Sequence, residues 1–293
     1  MSVSTLELDK IAVPEDGRRQ VRVGLIGKGI SLSRTPAMHV AEGTALGLSY
    51  TYDLIDPDRI KAGPPPLAEI LDILESAGFA GCNVTFPFKK DAMAFLDSLS
   101  DPARKVGAVN TIVFNNGRRE GHNTDYWGFG EGLRRGLPEA IMDTVLLLGA
   151  GGAGGAVAHA LKDAGVRNLL ILDRSPEAAT ALADAVGARA VSDPEAAAVL
   201  ADGIVNTTPM GMAKLPGTAI DTALLEPRHW VSDIVYFPRE TALLRAARKI
   251  GCRCLDGSGM AVFQAVRAFR FFTGINPDPA RMRATFESFS TDN

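Results

Sequence analysis

The sequence predicts an α/β protein whose second half forms a doubly wound parallel sheet. Three observations predict it. Short apolar runs alternate with helical patterns along the chain, the alternation restarts in the second half, and that restart opens on a glycine-rich turn between an apolar run and an amphipathic one. A chain of 293 residues is long enough for one large or two ordinary domains with real cores.

In the first half, VRVGLIG (21–27) reads as a strand, TPAMHVAEGTALGL (35–48) as a helix and SYTYDLID (49–56) as a second strand. PLAEILDILESAG (66–78) is a helix opened by a proline triplet and closed by Gly78, and GCNVTFP (81–87) is a third strand. FKKDAMAFLDSL (88–99) is expected to be helical, and the NNG and REG turns of AVNTIVFNNGRREGHNT (108–124) suggest a small hairpin. The second half reads VLLLGAGGAGGAVAHALKDAG (145–165), NLLILDRS (168–175), a helix from Pro176, GIVNTTP (203–209) and WVSDIVY (230–236). Such buried-strand runs between helices are the pattern of a parallel sheet. After Gly257-Ser258-Gly259 comes a last helix, MAVFQAVRAFRFFTG (260–274), and then a polar tail.

Composition narrows the partners. With 46% hydrophobic and 22% charged residues, a net charge of -3 and scattered Lys and Arg, the chain lacks the basic field that nucleic acid or an acidic membrane would require. A small molecule is the expected partner. Cys82, Cys252 and Cys254 are odd in number and include a C-x-C, which does not suggest a disulfide framework and fits a reducing cytoplasm. Residues 1–20 lack the apolar core of a signal peptide and are expected to form a loose tail, and no apolar run approaches the roughly 18 residues of a spanning helix. His39, His122, His159 and His229 have no metal-ligand spacing with the cysteines, so no metal site is expected.

In LLLGAGGAGGAVAHAL the glycines Gly149, Gly151 and Gly154 follow a strand and open a helix, matching the G-x-G-x-x-G/A turn that seats a pyrophosphate on helix amides. Asp173 follows at roughly the 20-residue interval expected of a carboxylate that reads the adenosine ribose. Arg174 stands next to it. A carboxylate there accepts the ribose 2′-OH and repels a 2′-phosphate, whereas a guanidinium welcomes the phosphate, so the two favour opposite cofactors. NAD is favoured because the fixed acid should cost a 2′-phosphate more than a flexible arginine recovers. Asp173 could instead be a turn residue or the cap of the Pro176 helix.

Polar residues of the first half fall at strand ends and turns: Ser33 and Thr35 in SLSRTPAMH, Asn83, Thr85 and Lys89 in NVTFPFKK, Asn110 in AVNT, and Asp125 in GHNTDYWGF. Each also has a plain reading. Ser33 or Thr35 could cap a helix before Pro36, Lys89 and Lys90 could form a solvated face, and Asp125 could cap a helix beginning at Tyr126.

Together these segments, with GAVNTIV, NTDYWGF, GAGGAGGAV, VNTTPMGM, DIVYFPRETALL and GMAVFQAVRAF, resemble the shikimate dehydrogenase family, and more closely its quinate/shikimate branch, from about residue 21 to about 275. The resemblance implies a substrate-binding and catalytic domain (1–124), a Rossmann domain (125–256) and C-terminal helices (257–293) that return to the substrate domain. It implies Lys89 and Asp125 as a catalytic pair that accepts and returns the proton of a hydroxyl while hydride passes to a nicotinamide. Ser33 and Thr35 match a carboxylate-holding pair, Asn83, Asn110, Asp125 and Gln264 match groups on ring hydroxyls, and Thr85 and Tyr236 match a pocket wall and a second polar contact. Gly149, Ala150, Gly151, Gly152 and Ala153 match the phosphate turn, Asp173 and Arg174 the adenosine reader, and Thr207, Pro209, Met210, Val235 and Gly259 the stretch near the nicotinamide. The implied activity is oxidation of the C3 hydroxyl of quinate or shikimate by a monomer or homodimer.

Two departures bear on specificity. Where many biosynthetic members have an Asn-Pro turn, a histidine and two serines, this chain has Lys28-Gly29, Leu32, Ser33 and Thr35, and where NADP users tend to show Asn-Arg-Thr it has Asp173-Arg174-Ser175. Both point to the quinate-accepting, NAD-preferring branch. An NADP-dependent biosynthetic shikimate dehydrogenase is the alternative that Arg174 keeps open. A quinate-sensing regulator without turnover is a further alternative, which would predict loss of the pair that is present.

Overall fold

The structure, a computed structural model, describes residues 17–60 and 63–289. The tail expected over residues 1–20 falls mostly outside the described residues, and its last residue, Gln20, already belongs to a strand. Described residues up to Thr124, together with those from Ala265 onward, make one compact unit, and Asp125–Gln264 make a second.

The first unit runs β1 (Gln20–Ile26), α1 (Thr35–Ala45), β2 (Ser49–Ile55), α2 (Leu67–Ser76), β3 (Gly81–Val84), β4 (Ser98–Leu99), α3 (Asp101–Val106), β5 (Thr111–Asn115) and β6 (Arg118–His122). Its sheet has the order β2-β1-β3-β5-β6-β4, with β5 antiparallel to both neighbours and the other pairs parallel. Alternate residues serve two apolar layers. Ile26, Val84 and Ile112 pack with Ile70, Leu71 and Leu74 of α2, whereas Val21, Val23 and Tyr50 pack with Phe269 and Phe272 from near the C-terminus.

The second unit runs α4 (Thr124–Gly136), β7 (Thr144–Leu148), α5 (Gly152–Asp163), β8 (Asn168–Leu172), α6 (Pro176–Val186), β9 (Arg189–Ala190), α7 (Pro194–Leu200), β10 (Gly203–Asn206), β11 (Trp230–Asp233), α8 (Ala242–Lys249) and β12 (Arg253–Leu255). Thr124, the first residue of α4, still belongs to the first unit. The sheet order is β12-β11-β10-β7-β8-β9, and every pairing is parallel. Val145 and Leu147 face one apolar layer with Val157, Leu161 and Ile171, and Leu146 and Leu148 face the other with Ile204, Val231 and Leu244. Two helices complete the chain, α9 (Ser258–Thr273) and α10 (Pro279–Ser288).

Four expectations are corrected. The segment 88–99 is not a helix: it holds a short 3-10 turn at Asp91–Phe95 and the strand β4, because its polar main chain bonds elsewhere. The Lys89 carbonyl accepts from Val109 N at 2.9 Å, and the amides of Asp97 and Ser100 donate to Arg119 and Gly121 at 2.9 and 2.8 Å. The REG segment lies inside β6, and the hairpin turns at Asn116 and Gly117, both with positive φ (52° and 74°). The polar tail contains α10, capped by Asp278, whose carboxylate accepts from Ala280 N at 2.8 Å. Only Met282 and Phe286 of α10 are buried, too sparse an apolar pattern to announce a helix, and ion pairing of Arg281 with Glu42 of α1 fixes it in place. Finally, the return to the first unit does not fall at 257. Helix α9 is continuous there, and the change of unit comes within it, between Gln264 and Ala265.

One buried group links this core to pH. His39 of α1 is fully buried against Tyr50, Tyr52, Phe269 and Phe272, with Nδ1 2.9 Å from the Tyr50 hydroxyl. Burial lowers its pKa from 6.5 to about 3. Between those values the unfolded chain binds a proton that the folded chain refuses, so stability is full above about pH 6.5 and drains away as pH falls. Replacing His39 by Gln should remove this dependence. Urea unfolding of both proteins at about pH 7 and about pH 5.5 should show the wild type losing about 1 kcal/mol more than the variant on acidification; parallel losses would assign the acid sensitivity to other groups.

Candidate active site

Pairing register gathers the polar residues of the first unit at one edge. Asn83 lies opposite Thr111 and Thr111 opposite His122, while Ile26 at the end of β1 lies opposite Val84. The loop bearing Ser33 and Thr35, the turn bearing Thr85 and Lys89, the approach to β5 bearing Asn110 and the exit from β6 toward Asp125 therefore all leave the sheet at this edge. Main-chain bonds tie the loops together: Lys28 N donates to Phe86 O at 3.0 Å, and Thr85 N to Ile26 O at 2.9 Å.

Two buried carboxamides organise the edge. Asn83 donates through Nδ2 to Thr111 Oγ1 at 2.9 Å and Asn110 O at 3.1 Å, and its Oδ1 accepts from the Tyr52 hydroxyl at 2.7 Å. Asn110 Oδ1 accepts from Thr124 N at 2.7 Å and from the hydroxyls of Thr111 and Thr124, and its Nδ2 donates to Thr124 Oγ1 at 2.9 Å. Asn110 thus caps α4 from outside the helix, supplying an acceptor to its first amide. The residue held this way immediately precedes Asp125, which is 8% exposed.

The plain readings can now be weighed. The cap position of α1 is Arg34, with no side-chain capping bond, so neither Ser33 nor Thr35 spends its hydroxyl there; Ser33 Oγ accepts only a long 3.4 Å contact from Thr35 N. Lys90 is exposed, whereas Lys89 is half-buried. Asp125 lies inside the first turn of α4 instead of capping a helix at Tyr126. Tyr236 is exposed just past β11, and Gln264, on α9, donates through Nε2 to Ala261 O at 3.1 Å. Among the candidate substrate contacts, Asn83 and Asn110 share a direct hydrogen bond; Asp125, Tyr236 and Gln264 belong to the second unit.

In the second unit the candidate cofactor residues lie just after strands or at the start of helices α5 and α9. Leu148, Leu172, Asn206 and Asp233 stand side by side in register at the ends of β7, β8, β10 and β11, and the residues after them are Gly149, Asp173, Thr207 and Val235's loop. The chain order reverses between β7 and β10, which is the topological switch point where open α/β sheets bind ligands. There Thr207 Oγ1 donates to Leu148 O at 2.8 Å and Gly149 O at 2.9 Å, joining the two loops.

The residues fit a dinucleotide. Gly149 takes φ +103°, and a Cβ on Gly154 would stand 2.2 Å from Gly149 O, so the turn and helix close up as only glycine allows. A Cβ on Gly151 or Gly152 would meet nothing within 4 Å, and α5 begins there with no side-chain cap, leaving an open cradle at a helix N-terminus beside Ala150 and Ala153. Asp173 Oδ2 accepts from Ala150 N at 2.7 Å and Oδ1 from Ser175 N at 2.9 Å, so two amides fix its carboxylate at the end of β8 beside the glycine turn. It does form the local turn, but the cap of α6 is Ser175, whose hydroxyl accepts from Ala178 N at 3.1 Å. Arg174 is exposed. Pro209 and Met210 lie in the loop after β10, and Gly259 sits against α4, where its Cβ would approach Gly132 Cα to 3.3 Å.

Sequence reading missed Tyr52, Thr111 and Thr124 in the first unit and Asn206, Asp233 and Thr241 in the second, all of which hold other polar residues. Asp233 offered a signal, an acid at the end of an apolar run. Among the described residues no group of three or more His, Cys, Asp or Glu could hold a metal ion, and no helix is long and apolar enough to cross a membrane.

These units and edges define a two-domain α/β protein with a dinucleotide-binding sheet. Models of the shikimate dehydrogenase substrate binding domain, of shikimate/quinate 5-dehydrogenase and of the shikimate 5′-dehydrogenase C-terminal domain match residues 25–112, 133–208 and 257–285. The chain is 52% identical over 278 residues to a quinate/shikimate dehydrogenase (NAD(+)) of Corynebacterium efficiens, covering 92% of this chain and 98% of that one. It is 49% identical over 271 residues to a shikimate dehydrogenase (NADP(+)) of Streptomyces avermitilis, covering 89% and 93%. The crystal structure of quinate dehydrogenase from Corynebacterium glutamicum in complex with NAD matches with a TM-score of 0.89 at 47% identity, over 92% of this chain and all of that one. The chain belongs to the shikimate/quinate dehydrogenase family.

The capping role of Asn110 has a measurable cost. Replacing it by Ala removes the cap and strands the buried partners on Thr124 and Thr111, which should lower the unfolding free energy by about 1–3 kcal/mol. Urea unfolding measures this, and a change of a few tenths would mean that the network relaxes without it.

Proposed function

We propose that this protein is an NAD-dependent quinate/shikimate dehydrogenase that reversibly oxidises the C3 hydroxyl of quinate or shikimate to 3-dehydroquinate or 3-dehydroshikimate. The observation that carries this reading is the register of Asn83, Thr111 and His122, which brings Asn83, Asn110 and the approach to Asp125 to the sheet edge that also bears Ser33, Thr35, Thr85 and Lys89. Ser33 and Thr35 hold the substrate carboxylate with their hydroxyls. Asn83, Asn110, Asp125 and Gln264 bind ring hydroxyls, Thr85 lines the pocket and Tyr236 adds a polar contact. Lys89 accepts the proton of the C3 hydroxyl as the ketone forms and returns it in reverse, with the Asp125 carboxylate as its partner.

Bound NAD supplies the acceptor of the two electrons and the C3 hydrogen. Gly149, Ala150, Gly151, Gly152 and Ala153 would hold its pyrophosphate, Asp173 its ribose and Arg174 the adenine face, with Thr207, Pro209, Met210, Val235 and Gly259 near the nicotinamide. Overall identity does not choose the cofactor, since the NAD and NADP relatives stand at 52% and 49%. What favours NAD is Asp173, an anion locked in place by Ala150 N and Ser175 N where a 2′-phosphate would have to sit.

Replacing Lys89 by Ala should cut kcat by about 10²–10⁴-fold for either substrate, and a near-normal kcat would remove Lys89 from proton transfer. Steady-state assays of NAD and NADP against quinate and shikimate should give a higher kcat/KM with NAD for the wild type. In Asp173→Asn the preference should move toward NADP by about 10-fold or more, the equivalent of about 1.4 kcal/mol. A wild type that prefers NADP would establish the biosynthetic alternative, and binding without turnover would establish a sensor.

A further inference from the structure

The loop after β10 is held by a buried set of side chains to which the reading above gives no role. Asn206 is 1% exposed and spends its whole carboxamide internally: Nδ2 donates to Met210 O at 3.0 Å and Asp233 Oδ1 at 2.9 Å, and Oδ1 accepts from Thr208 N at 3.0 Å and Thr208 Oγ1 at 2.7 Å. Asp233, opposite Asn206 in the β10–β11 register, is fully buried. Its Oδ1 also accepts from Val235 N at 3.0 Å, and its Oδ2 accepts from Thr241 Oγ1 at 2.7 Å. A buried carboxylate is tolerated only when hydrogen bonds compensate its lost hydration, and here three donors converge on one.

Thr241 is fixed in turn. It caps α8, its hydroxyl accepting from Leu244 N at 3.3 Å, and Gly211 packs so closely that a Cβ there would stand 3.3 Å from Thr241 Cβ. The chain from Thr207 to Gly211 is thus anchored at both ends, by Thr207 to the glycine turn and by Gly211 against Thr241, with Asn206 gripping its middle at Thr208 and Met210. Val235, across the strand ends, is anchored by the same carboxylate.

We propose that Asn206, Asp233 and Thr241 are positioning residues for the nicotinamide half of the cofactor, fixing the main chain at Thr208, Met210 and Val235 without touching the ligand. The inference rests on the reading of these loops as the nicotinamide stretch. It separates the two halves of the dinucleotide physically, because the adenosine half is read by Asp173 and the glycine turn, to which Asn206 and Asp233 make no bond among the described contacts.

The test is calorimetric titration of the full-length protein with NAD and with ADP-ribose, which lacks the nicotinamide. Thr241→Val and Asn206→Ser loosen the clamp at different points, and thermal melts confirm that each variant is folded. Loss of one such bond should weaken NAD binding by about 10-fold, about 1.4 kcal/mol, while ADP-ribose binding stays within about twofold of wild type. Equal weakening of both ligands would make the set a general stabiliser of the domain, and unchanged NAD binding would deny it any part in positioning; either overturns the proposal. If wild type binds neither ligand, the dinucleotide reading itself fails and the inference falls with it, an outcome distinct from a wild type that binds both and variants that lose neither.

Discussion

Parallel pairing is the constraint on which the rest of the structure depends. A strand that pairs parallel to its predecessor must be reached by a crossover, so every strand of the second unit ends at the same edge and every loop that follows one begins there. The first unit obeys the same rule with one antiparallel insertion, β5, which presents its beginning where its neighbours present their ends. Four polar segments, separate in sequence, are thereby delivered to one edge in each unit. The helices and apolar layers hold the sheets; the edges are left to chemistry.

Delivery alone does not orient a side chain. In both units that task falls to an asparagine at the strand edge that hydrogen-bonds to its protein neighbours. Asn110 caps α4 and settles the residue before Asp125, and Asn206 grips the loop that contains Met210. A carboxamide suits this work because it offers two donors and an acceptor with two lone pairs in one rigid plane, so that a single buried group fixes several main-chain segments without burying charge. Asp233 is the exception, and it lies beside three donors. These networks are all-or-nothing: one missing partner leaves the rest buried and unsatisfied.

The fold class was legible because it follows from periodicity, and the glycine turn because its chemistry demands glycine at fixed spacing. What sequence could not show was dictated by contacts distant along the chain. The segment 88–99 has a helical pattern, but the Lys89 carbonyl is taken by Val109 and the segment's end pairs with β6. Helix α10 has too few apolar positions to stand out, and its docking depends on Glu42, more than two hundred residues away. At the candidate sites, the residues singled out as contacts were recognisable within motifs. Those that hold them, such as Tyr52 on Asn83 or Thr241 on Asp233, have no spacing rule, since each is an accident of which strands lie adjacent. Asn206 illustrates the difference well: within VNTTP it reads formally as a glycosylation acceptor, and only the β10–β11 register reveals its bond to Asp233.

The same distinction between global likeness and local contact governs the cofactor. Relatives named for NAD and for NADP are nearly equally identical to this chain, so overall identity does not choose between the cofactors. Asp173 can carry such a choice because its surroundings prevent escape. A carboxylate on a free side chain could rotate away from an approaching phosphate, but this one is tied by Ala150 N on one oxygen and Ser175 N on the other. The amide from Ala150 belongs to the glycine turn itself, so moving the acid would disturb the pyrophosphate cradle. Arg174, exposed and long, has the opposite mechanical character: it can lie along an adenine ring or swing toward a phosphate, and its charge is screened by solvent in either pose. Between a fixed anion and a mobile cation at neighbouring positions, the fixed one has the less freedom to accommodate a ligand and the mobile one the more.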